Sequence, residues 1–477
     1  MKFVSQVSSS ASSQKNILTD GKLTCTYEDI SQIFEDIEKL FSERNIRVET
    51  PLVLECENTL HAALTVLYLL ERDYSFLLIP KTDKTSREPG AEPLFPPFFR
   101  YWTATQDIEE DADFDPGKYL QIAENKAWSG HDIPCKRGKL YLRTSGSTGA
   151  PKMAVHNLDR LRGNARNCVE RLDINRDDRI AVPVPIFHMF GLGAAFLPAV
   201  AVEASVDLQK GANLLTYMQR ERVFNPSVAF MTPVFCETLL KGRKSPRTYR
   251  LTVTAGDRFR KDGAFAKYES LFGCLVNLYG STEMGAITAG SPDDSFEDRS
   301  GTAGKPMTGA LMRAEKRNPK SGNGNDIGEL LCRYEYGFEG YADENGNPAD
   351  GNQEWFRTKD LGRIRPDGRI EVMGRCDHSV NRDGLLVFFA DVERAVKTIN
   401  GIDSVVIVSQ GESRRGKGIV AYCVPIKETD ISETDVRNAC FGILPGRAVP
   451  DTVIFKDSLP LLPSGKIDRQ KLALFHK

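Results

Sequence analysis

Short runs of almost wholly apolar residues alternate with helical-length segments along much of this chain. Pro51-Leu-Val-Leu-Glu-Cys56 is followed by a helix-like stretch through Leu70, then by Ser75-Phe-Leu-Leu-Ile-Pro80. The rhythm returns at Val228-Ala-Phe-Met-Thr-Pro233, Leu251-Thr-Val-Thr-Ala-Gly256 and Leu275-Val-Asn-Leu-Tyr-Gly280. A strand apolar on both faces is stable only when both faces are covered, and a parallel neighbour needs a crossover helix. The alternation therefore predicts βαβ units and a mostly parallel sheet covered by helices. Ahead of it, Ile30, Ile33, Phe34, Ile37, Leu40 and Phe41 recur at helical spacing, and Thr26-Tyr-Glu-Asp29 has the form of a capping box with Asp in the last place. Residues 81–135, rich in Pro, acids and aromatics, read as loops and short strands, and the polar, Gly-rich stretch 290–326 reads as loop-dominated.

At 477 residues the chain exceeds one ordinary core. The texture changes near Gly374. After it come a helix candidate from Asp391 to Ile399, strands at 404–410 and 419–425, a short helix near 432–440 and a strand at 452–456. The reading is a large α/β N-terminal domain, 1–374, joined to a small mobile α+β domain, 375–477. Basic and acidic side chains number 63 and 65, so no global field points to nucleic acid or an anionic membrane. The ten cysteines are scattered without C-x-x-C, which argues against a zinc site or redox dithiol and for reduced thiols in the cytoplasm. The longest apolar run, 62–70, is too short to span a bilayer. The opening segment has no apolar signal core and is expected to be a frayed polar tail.

Four segments carry chemistry. The first is Thr144-Ser145-Gly146-Ser147-Thr148-Gly149-Ala150-Pro151-Lys152, directly after apolar Leu140-Tyr-Leu142. Glycines let backbone N–H groups approach phosphate oxygens, and hydroxyls add donors. Pro151 before the lysine rules out a Walker A loop. Alone, the segment also fits a flexible Ser/Gly linker. The second, Asn277-Leu-Tyr279-Gly280-Ser281-Thr282-Glu283, ends an apolar run, where an α/β sheet presents ligand groups. It offers a ring for a base, a hydroxyl for a phosphate and a carboxylate for Mg²⁺; by itself it could equally be an ordinary turn. The third is Trp355-Phe-Arg-Thr-Lys359-Asp360-Leu-Gly362, with Gly374-Arg375-Cys-Asp377 after it. A carboxylate suits a ribose diol and a guanidinium a phosphate, although a salt-bridged hairpin would use the same residues. The fourth is Leu462-Pro-Ser-Gly-Lys466-Ile-Asp-Arg469, a lysine on a Gly turn that alone would read as a solvated basic loop.

In this order the segments resemble the signature motifs of the adenylate-forming superfamily: acyl-CoA synthetases, aryl-CoA ligases, luciferases and nonribosomal-peptide adenylation domains. The resemblance runs from Leu23 nearly to the end of the chain. It implies that Thr144, Ser145, Gly146, Ser147, Thr148, Gly149 and Lys152 hold the β- and γ-phosphates of ATP. Tyr279, next to Gly280, matches the ring that stacks on adenine. Thr282 matches the α-phosphate donor, Glu283 the Mg²⁺ ligand, Asp360 the ribose-binding carboxylate and Arg375 an ATP-contacting arginine. Asp377 falls at the domain hinge. Lys466 matches the lysine that bridges the substrate carboxylate and the α-phosphate during adenylation. The implied reaction is ATP- and Mg²⁺-dependent activation of an acid, then transfer to the thiol of CoA or of a carrier protein's phosphopantetheine. A non-enzymatic nucleotide-binding relative is the competing class; retention of Glu283, Asp360, Arg375 and Lys466 disfavours it.

Pro185-Ile-Phe187-His188-Met-Phe190-Gly191 resembles a segment of CoA ligases, and Thr254-Ala255-Gly256-Asp-Arg-Phe259 one of aryl-acid CoA ligases. Phe187, Phe190, Thr232, Ala255 and Gly256 are candidate walls of an acyl pocket for an apolar or aromatic acid; a polyketide-derived acid also fits. His188 is read as a gate between this pocket and the thiol tunnel, a packed core histidine being the alternative. Asn381-Arg-Asp-Gly384-Leu-Leu386-Val387, expected to border the tunnel at Gly384, departs from the pattern: Asn381 replaces a lysine, and Leu386 sits where some members carry a phosphate-contacting arginine. Lys359 replaces the glycine of Thr-Gly-Asp.

The charge argument for Lys466 gives a first test. Its cation is needed while the α-phosphate is attacked, so Lys466→Ala is expected to slow adenylation by at least ~100-fold. Thioester formation from a supplied acyl-adenylate should persist. Equal loss in both half-reactions, assayed separately, would contradict that role.

Overall fold

The computed structural model describes residues 16–81, 95–106, 114–128, 137–144, 152–243, 245–257, 263–315, 327–349, 354–382, 385–413, 416–426, 429–460 and 467–474. The chain forms two compact units. One comprises Met1–Met312, Cys332–Phe356 and Ile364–Glu371; the other comprises Arg313–Leu331, Arg357–Arg363 and Val372–Lys477.

Two large sheets dominate the first unit. In the nine-stranded sheet, Gly273–Ser281, Tyr249–Thr254, Val228–Met231, Arg179–Val182, Ser205–Leu208 and Ile17–Thr19 lie side by side and parallel. Antiparallel strands finish both edges: Thr24–Thr26 at one, Gly285–Ala289 and Lys305–Pro306 at the other. The eight-stranded sheet has the parallel centre Lys139–Arg143, Phe76–Pro80, Leu52–Cys56 and Tyr101–Thr105. Leu120–Glu124 closes one side; Met153–Asn157, Gly340–Ala342 and Pro348–Ala349 close the other, all antiparallel. The apolar runs thus give the expected parallel sheets, with antiparallel edges that the runs did not announce. The strand Leu52–Cys56 is buried at every residue, which is why it shows no polar alternation.

Helices fill the space according to their apolar pattern. Ile30–Glu43 buries Ile30, Ile33, Phe34, Ile37 and Phe41 along one stripe. Leu60–Glu71 is buried from Leu60 to Leu70, the signature of a helix packed on all sides. Phe34 and Phe41 meet Tyr68 edge-on at 5.7 and 5.5 Å between ring centres. The capping box forms only in part. Asp29 accepts the Thr26 N–H at 2.7 Å, but the Thr26 hydroxyl donates to the same carboxylate, and the helix begins at Ile30. Tyr27 explains the delay: its hydroxyl is tied to the Ala204 carbonyl at 2.7 Å, which holds an extra turn ahead of the helix. Complete reciprocal boxes open Leu214–Phe224, through Asn213 and Thr216, and, in the second unit, Glu433–Ile443, through Ser432 and Asp435.

That unit holds a five-stranded sheet with Ser379–Arg382, Leu385–Phe388, Ile402–Ser413, Gly416–Pro425 and Thr452–Phe455, and the helices Phe389–Val396 and Glu433–Ile443. Val392, Val396, Ile407, Ile419, Cys423, Val436 and Cys440 make its core. The stretch 290–315 is more regular than expected, with a short helix Phe296–Gly301 and strands Lys305–Pro306 and Ala310–Glu315.

Lys359 keeps the backbone that a glycine would favour. Its φ is +61°, in the left-handed region, and it is exposed. That conformation costs a side-chain-bearing residue about 1–2 kcal/mol, against about 0.5–1 kcal/mol for the extra entropy a glycine loses on folding. Lys359→Gly should therefore raise stability by about 0.5 kcal/mol or slightly more. A lower midpoint in urea unfolding would contradict this.

Candidate active site

Three neighbouring parallel strands end together. The register pairs Met231 with Thr254 and Thr254 with Asn277, so Thr232, Ala255 and the Leu278–Tyr279 step lie at one edge of the sheet. This C-terminal edge is where a parallel sheet presents ligand groups. Thr232 caps the helix Pro233–Gly242, its hydroxyl accepting from Phe235 N at 3.3 Å. Ala255 is buried, and Gly256 has φ +93° with open space around a Cβ. Phe190 packs on Phe230 at 6.0 Å and opens a π-helix, Phe190–Phe196, a form of turn frequent at functional sites. The π-helix depends on Gly191, where a Cβ would lie 2.1 Å from the Pro185 carbonyl oxygen. His188 is exposed, 4.7 Å from the Phe187 ring, so the packed-core alternative does not hold.

The strand Gly273–Ser281 runs past its parallel partners and turns back into Gly285–Ala289 through a register shift at Tyr279–Gly280. A Cβ at Gly280 would stand 2.1 Å from the Gly285 carbonyl oxygen, so the glycine permits the close turn. Tyr279 is half-buried against the main core. Thr282 and Glu283 sit on the turn itself.

The other sheet grips this turn. Lys139–Arg143 and Met153–Asn157 form an antiparallel hairpin in register from Lys139–Asn157 to Arg143–Met153, and Thr144 N bonds the Lys152 carbonyl at 2.8 Å. The described strands on either side of the hydroxyl- and glycine-rich segment are therefore the two arms of a β-hairpin, and a strand rather than the helix of a Walker A motif follows it. Thr144 and Lys152 mark its ends; Ser145, Gly146, Ser147, Thr148 and Gly149 lie outside the described residues. Four residues beyond Lys152, buried His156 donates from Nε2 to the Thr282 carbonyl at 2.8 Å. Burial, and then the neighbouring Arg160, push its pKa down to about 4 despite the pull of that bond, so the ring is neutral. Nδ1 is the bare nitrogen, buried without a partner. On the adjacent strand, the Tyr341 hydroxyl donates to Glu283 Oε1 at 2.9 Å. Phe338 N donates to the Glu283 carbonyl at 2.6 Å. Burial and the Glu283 charge raise the Tyr341 pKa, which keeps that hydroxyl protonated. The exposed Lys152 ammonium lies 4.6 Å from the centre of the Tyr341 ring. A lysine, a phenol hydroxyl and a carboxylate thus converge where the two sheets meet.

The AMP-binding enzyme family matches residues 121–342, and the AMP-binding enzyme C-terminal domain matches 391–466, together more than half of the chain. This chain belongs to the AMP-binding, adenylate-forming enzymes. Among its relatives, an indoleacetate–CoA ligase of Aromatoleum aromaticum is 25% identical over 68% of this chain and 64% of its own. A salicylyl-CoA synthase / salicylate adenylyltransferase of Streptomyces is 27% identical over 70% of this chain and 62% of its own. The matched stretches thus span less than two thirds of either relative. The o-succinylbenzoate CoA synthetase of Bacillus subtilis, solved with an acyl-adenylate intermediate, superposes with a TM-score of 0.75, 18% identity and coverage of 96% of this chain and 95% of that one. The likeness confirms the adenylate-forming fold: a large N-terminal α/β domain with a small C-terminal one.

Within the AMP-binding match fall the hairpin loop, the Tyr279–Glu283 turn, His188, the acyl-wall candidates and Tyr341. Asp360 and Arg375 belong to the second unit and pair with each other at 3.3 Å; Arg375 also donates to the Thr358 carbonyl at 3.1 Å. Asp377 lies in the 3₁₀ turn Cys376–His378. Gly384 and Lys466 lie outside the described residues. The departures Asn381 and Leu386 are paired across the hairpin of Ser379–Arg382 and Leu385–Phe388, so both changes fall at one register position.

His156 and Tyr341 escaped the motif reading. His156 follows a singled-out segment, and Tyr341 lies in a short strand that no motif marks; their partners lie 126 and 58 residues away in sequence. A histidine four residues beyond the loop lysine was the only local signal.

The neutral, buried His156 makes stability fall as the pH is lowered. Its folded pKa lies below the unfolded value of 6.5, so the unfolded chain gains the proton first; its contribution is complete above about 6.5 and is lost as pH falls towards about 4. The full shift corresponds to about 3 kcal/mol. A glutamine can keep the bond to Thr282 but does not titrate. His156→Gln should therefore flatten the stability loss between pH 6.5 and 4 in chemical unfolding. An unchanged pH slope would contradict the assignment.

Proposed function

We propose that this chain activates a carboxylic acid with ATP as an acyl-adenylate and passes the acyl group to the thiol of CoA. The observation that carries the reading is that Tyr341 touches both Lys152 and Glu283, on the turn whose Thr282 carbonyl is held by His156, four residues beyond Lys152. The donor set fits Mg²⁺. Glu283 has one oxygen on Tyr341, and Oε2 has no bond among the described residues. One carboxylate beside phosphate oxygens is how Mg²⁺ is held in nucleotide sites, and no cluster of three or more His, Cys, Asp or Glu exists among the described residues to form a dedicated cage. Such an ion would offset charge on the polyphosphate.

In the first half-reaction a carboxylate oxygen forms a bond to the α-phosphorus, the bond from that phosphorus to the bridging oxygen breaks, and pyrophosphate leaves. Thr144 to Lys152 hold the β- and γ-phosphates, Thr282 donates to the α-phosphate, and Tyr279 beside Gly280 takes the adenine. Lys466 offsets the charge that builds between carboxylate and phosphate. Asp360, held by Arg375, takes the ribose hydroxyls. In the second half-reaction the thiolate attacks the acyl carbon and AMP leaves. The small domain, starting near 375, turns about Asp377 between steps, exchanging Lys466 for the Gly384 loop. Phe187, Phe190, Thr232, Ala255 and Gly256 favour an apolar or aromatic acid, with His188 at the mouth towards the thiol. No helix among the described residues is long and apolar enough to cross a membrane; a cytoplasmic site of action accords with the scattered free thiols.

The test is a panel of aryl, indole-type and alkanoic acids incubated with ATP and Mg²⁺, with CoA, with a phosphopantetheinylated carrier protein, or with neither, and read by mass spectrometry. The expected result is AMP together with one family of acyl-CoA products. AMP and an acylated carrier protein with no acyl-CoA would overturn the CoA assignment.

A further inference from the structure

Lys152 and Glu283 carry opposite charges, come from different sheets, and both lie against one side chain, Tyr341. Left to themselves, a lysine and a carboxylate this close would pair with each other, and each would then be lost to the nucleotide. Among the described residues no ion pair joins them. The strand Gly340–Ala342 places Tyr341 opposite Ala154, two residues from Lys152. Its hydroxyl reaches Glu283 at 2.9 Å and its ring lies 4.6 Å from the Lys152 ammonium. The ring is itself wedged: Phe338 stands edge-on to it at 5.1 Å, and Phe356 stands edge-on to Phe338 at 5.5 Å. Phe338 also holds the Glu283 backbone.

We propose that Tyr341 is a positioning residue that keeps Lys152 and Glu283 apart and aimed. Its hydroxyl orients the Glu283 carboxylate for the metal, and its ring gives the Lys152 ammonium a resting place that is not Glu283. The inference rests on the roles proposed above for Lys152 and Glu283. The two parts of the tyrosine act on different partners, so two substitutions separate them. Tyr341→Phe removes only the hydroxyl. Tyr341→Leu removes the ring as well and lets Lys152 reach Glu283.

The experiment compares wild type, Tyr341→Phe, Tyr341→Leu and Glu283→Gln, each first shown to melt within a few degrees of wild type. Two quantities are read: the dependence of pyrophosphate release on Mg²⁺ and on ATP, and calorimetric titration of Mg²⁺ into protein saturated with an ATP analogue bridged by methylene between the α- and β-phosphorus. Tyr341→Phe is expected to raise the Mg²⁺ half-saturation about tenfold, the worth of a hydrogen bond to a charged group, with KM for ATP at saturating Mg²⁺ within twofold of wild type. Tyr341→Leu should raise both. If Glu283→Gln weakens Mg²⁺ but Tyr341→Phe does not, the Tyr341 inference is wrong and the reading of Glu283 stands. If Glu283→Gln leaves Mg²⁺ binding unchanged, the role of Glu283 fails and the inference fails with it. A leucine variant with an unaltered KM for ATP overturns the part played by the ring.

Discussion

A turn of three residues, Thr282 to Met284, is held by the sheet it does not belong to. Its own strand is the last parallel member of the nine-stranded sheet, and a strand end would otherwise fray into solvent. His156 binds its backbone from one strand of the eight-stranded sheet, and Tyr341 and Phe338 bind Glu283 from the neighbouring strand or just before it. These bonds are made between buried or half-buried groups, where an unmet donor is expensive, so they fix the turn rather than decorate it. The same two strands bear or follow the hairpin loop. One junction therefore sets the distance between the groups proposed for phosphate and the group proposed for metal, and the packing beneath it maintains that distance.

Much of the architecture was legible because burial leaves a local imprint. A strand covered on both faces reads as an unbroken apolar run, as Leu52–Cys56 does, and a helix buried on one stripe repeats at 3.6, as Ile30–Glu43 does. Short antiparallel strands near a sheet edge, such as Gly340–Ala342, were not legible, since three residues, one buried and two half-buried, carry no period. The first capping signal misled for a similar reason. Thr26 and Asp29 do bond, but a distant tether at Tyr27 shifts the helix start, and nothing near Thr26 in the sequence reports Ala204.

The site divides in the same way. Thr144, Lys152, Tyr279, Gly280, Thr282 and Glu283 could be named because their types fit a nucleotide and their segments follow apolar runs. His156 and Tyr341 could not, because their importance lies in what they touch across the fold. Lys359 shows the reverse case. A lysine in the place of a motif's glycine gives no local sign of backbone shape, yet the backbone there retains the positive φ that glycine would relieve. Asn381 and Leu386, two separate departures in sequence, turn out to share one cross-strand position, so they read as a single change on the small domain.

The central claim is that the junction of the two sheets activates an acid on the α-phosphate of ATP, and the adenylation half-reaction isolates it from any choice of thiol. Exchange of radiolabelled pyrophosphate into ATP measures that half-reaction without CoA. The account predicts exchange that depends on both Mg²⁺ and one class of apolar or aromatic acid, and that falls by two orders of magnitude or more in Lys466→Ala. Tight ATP binding with no acid-dependent exchange for any member of a broad acid panel would contradict it.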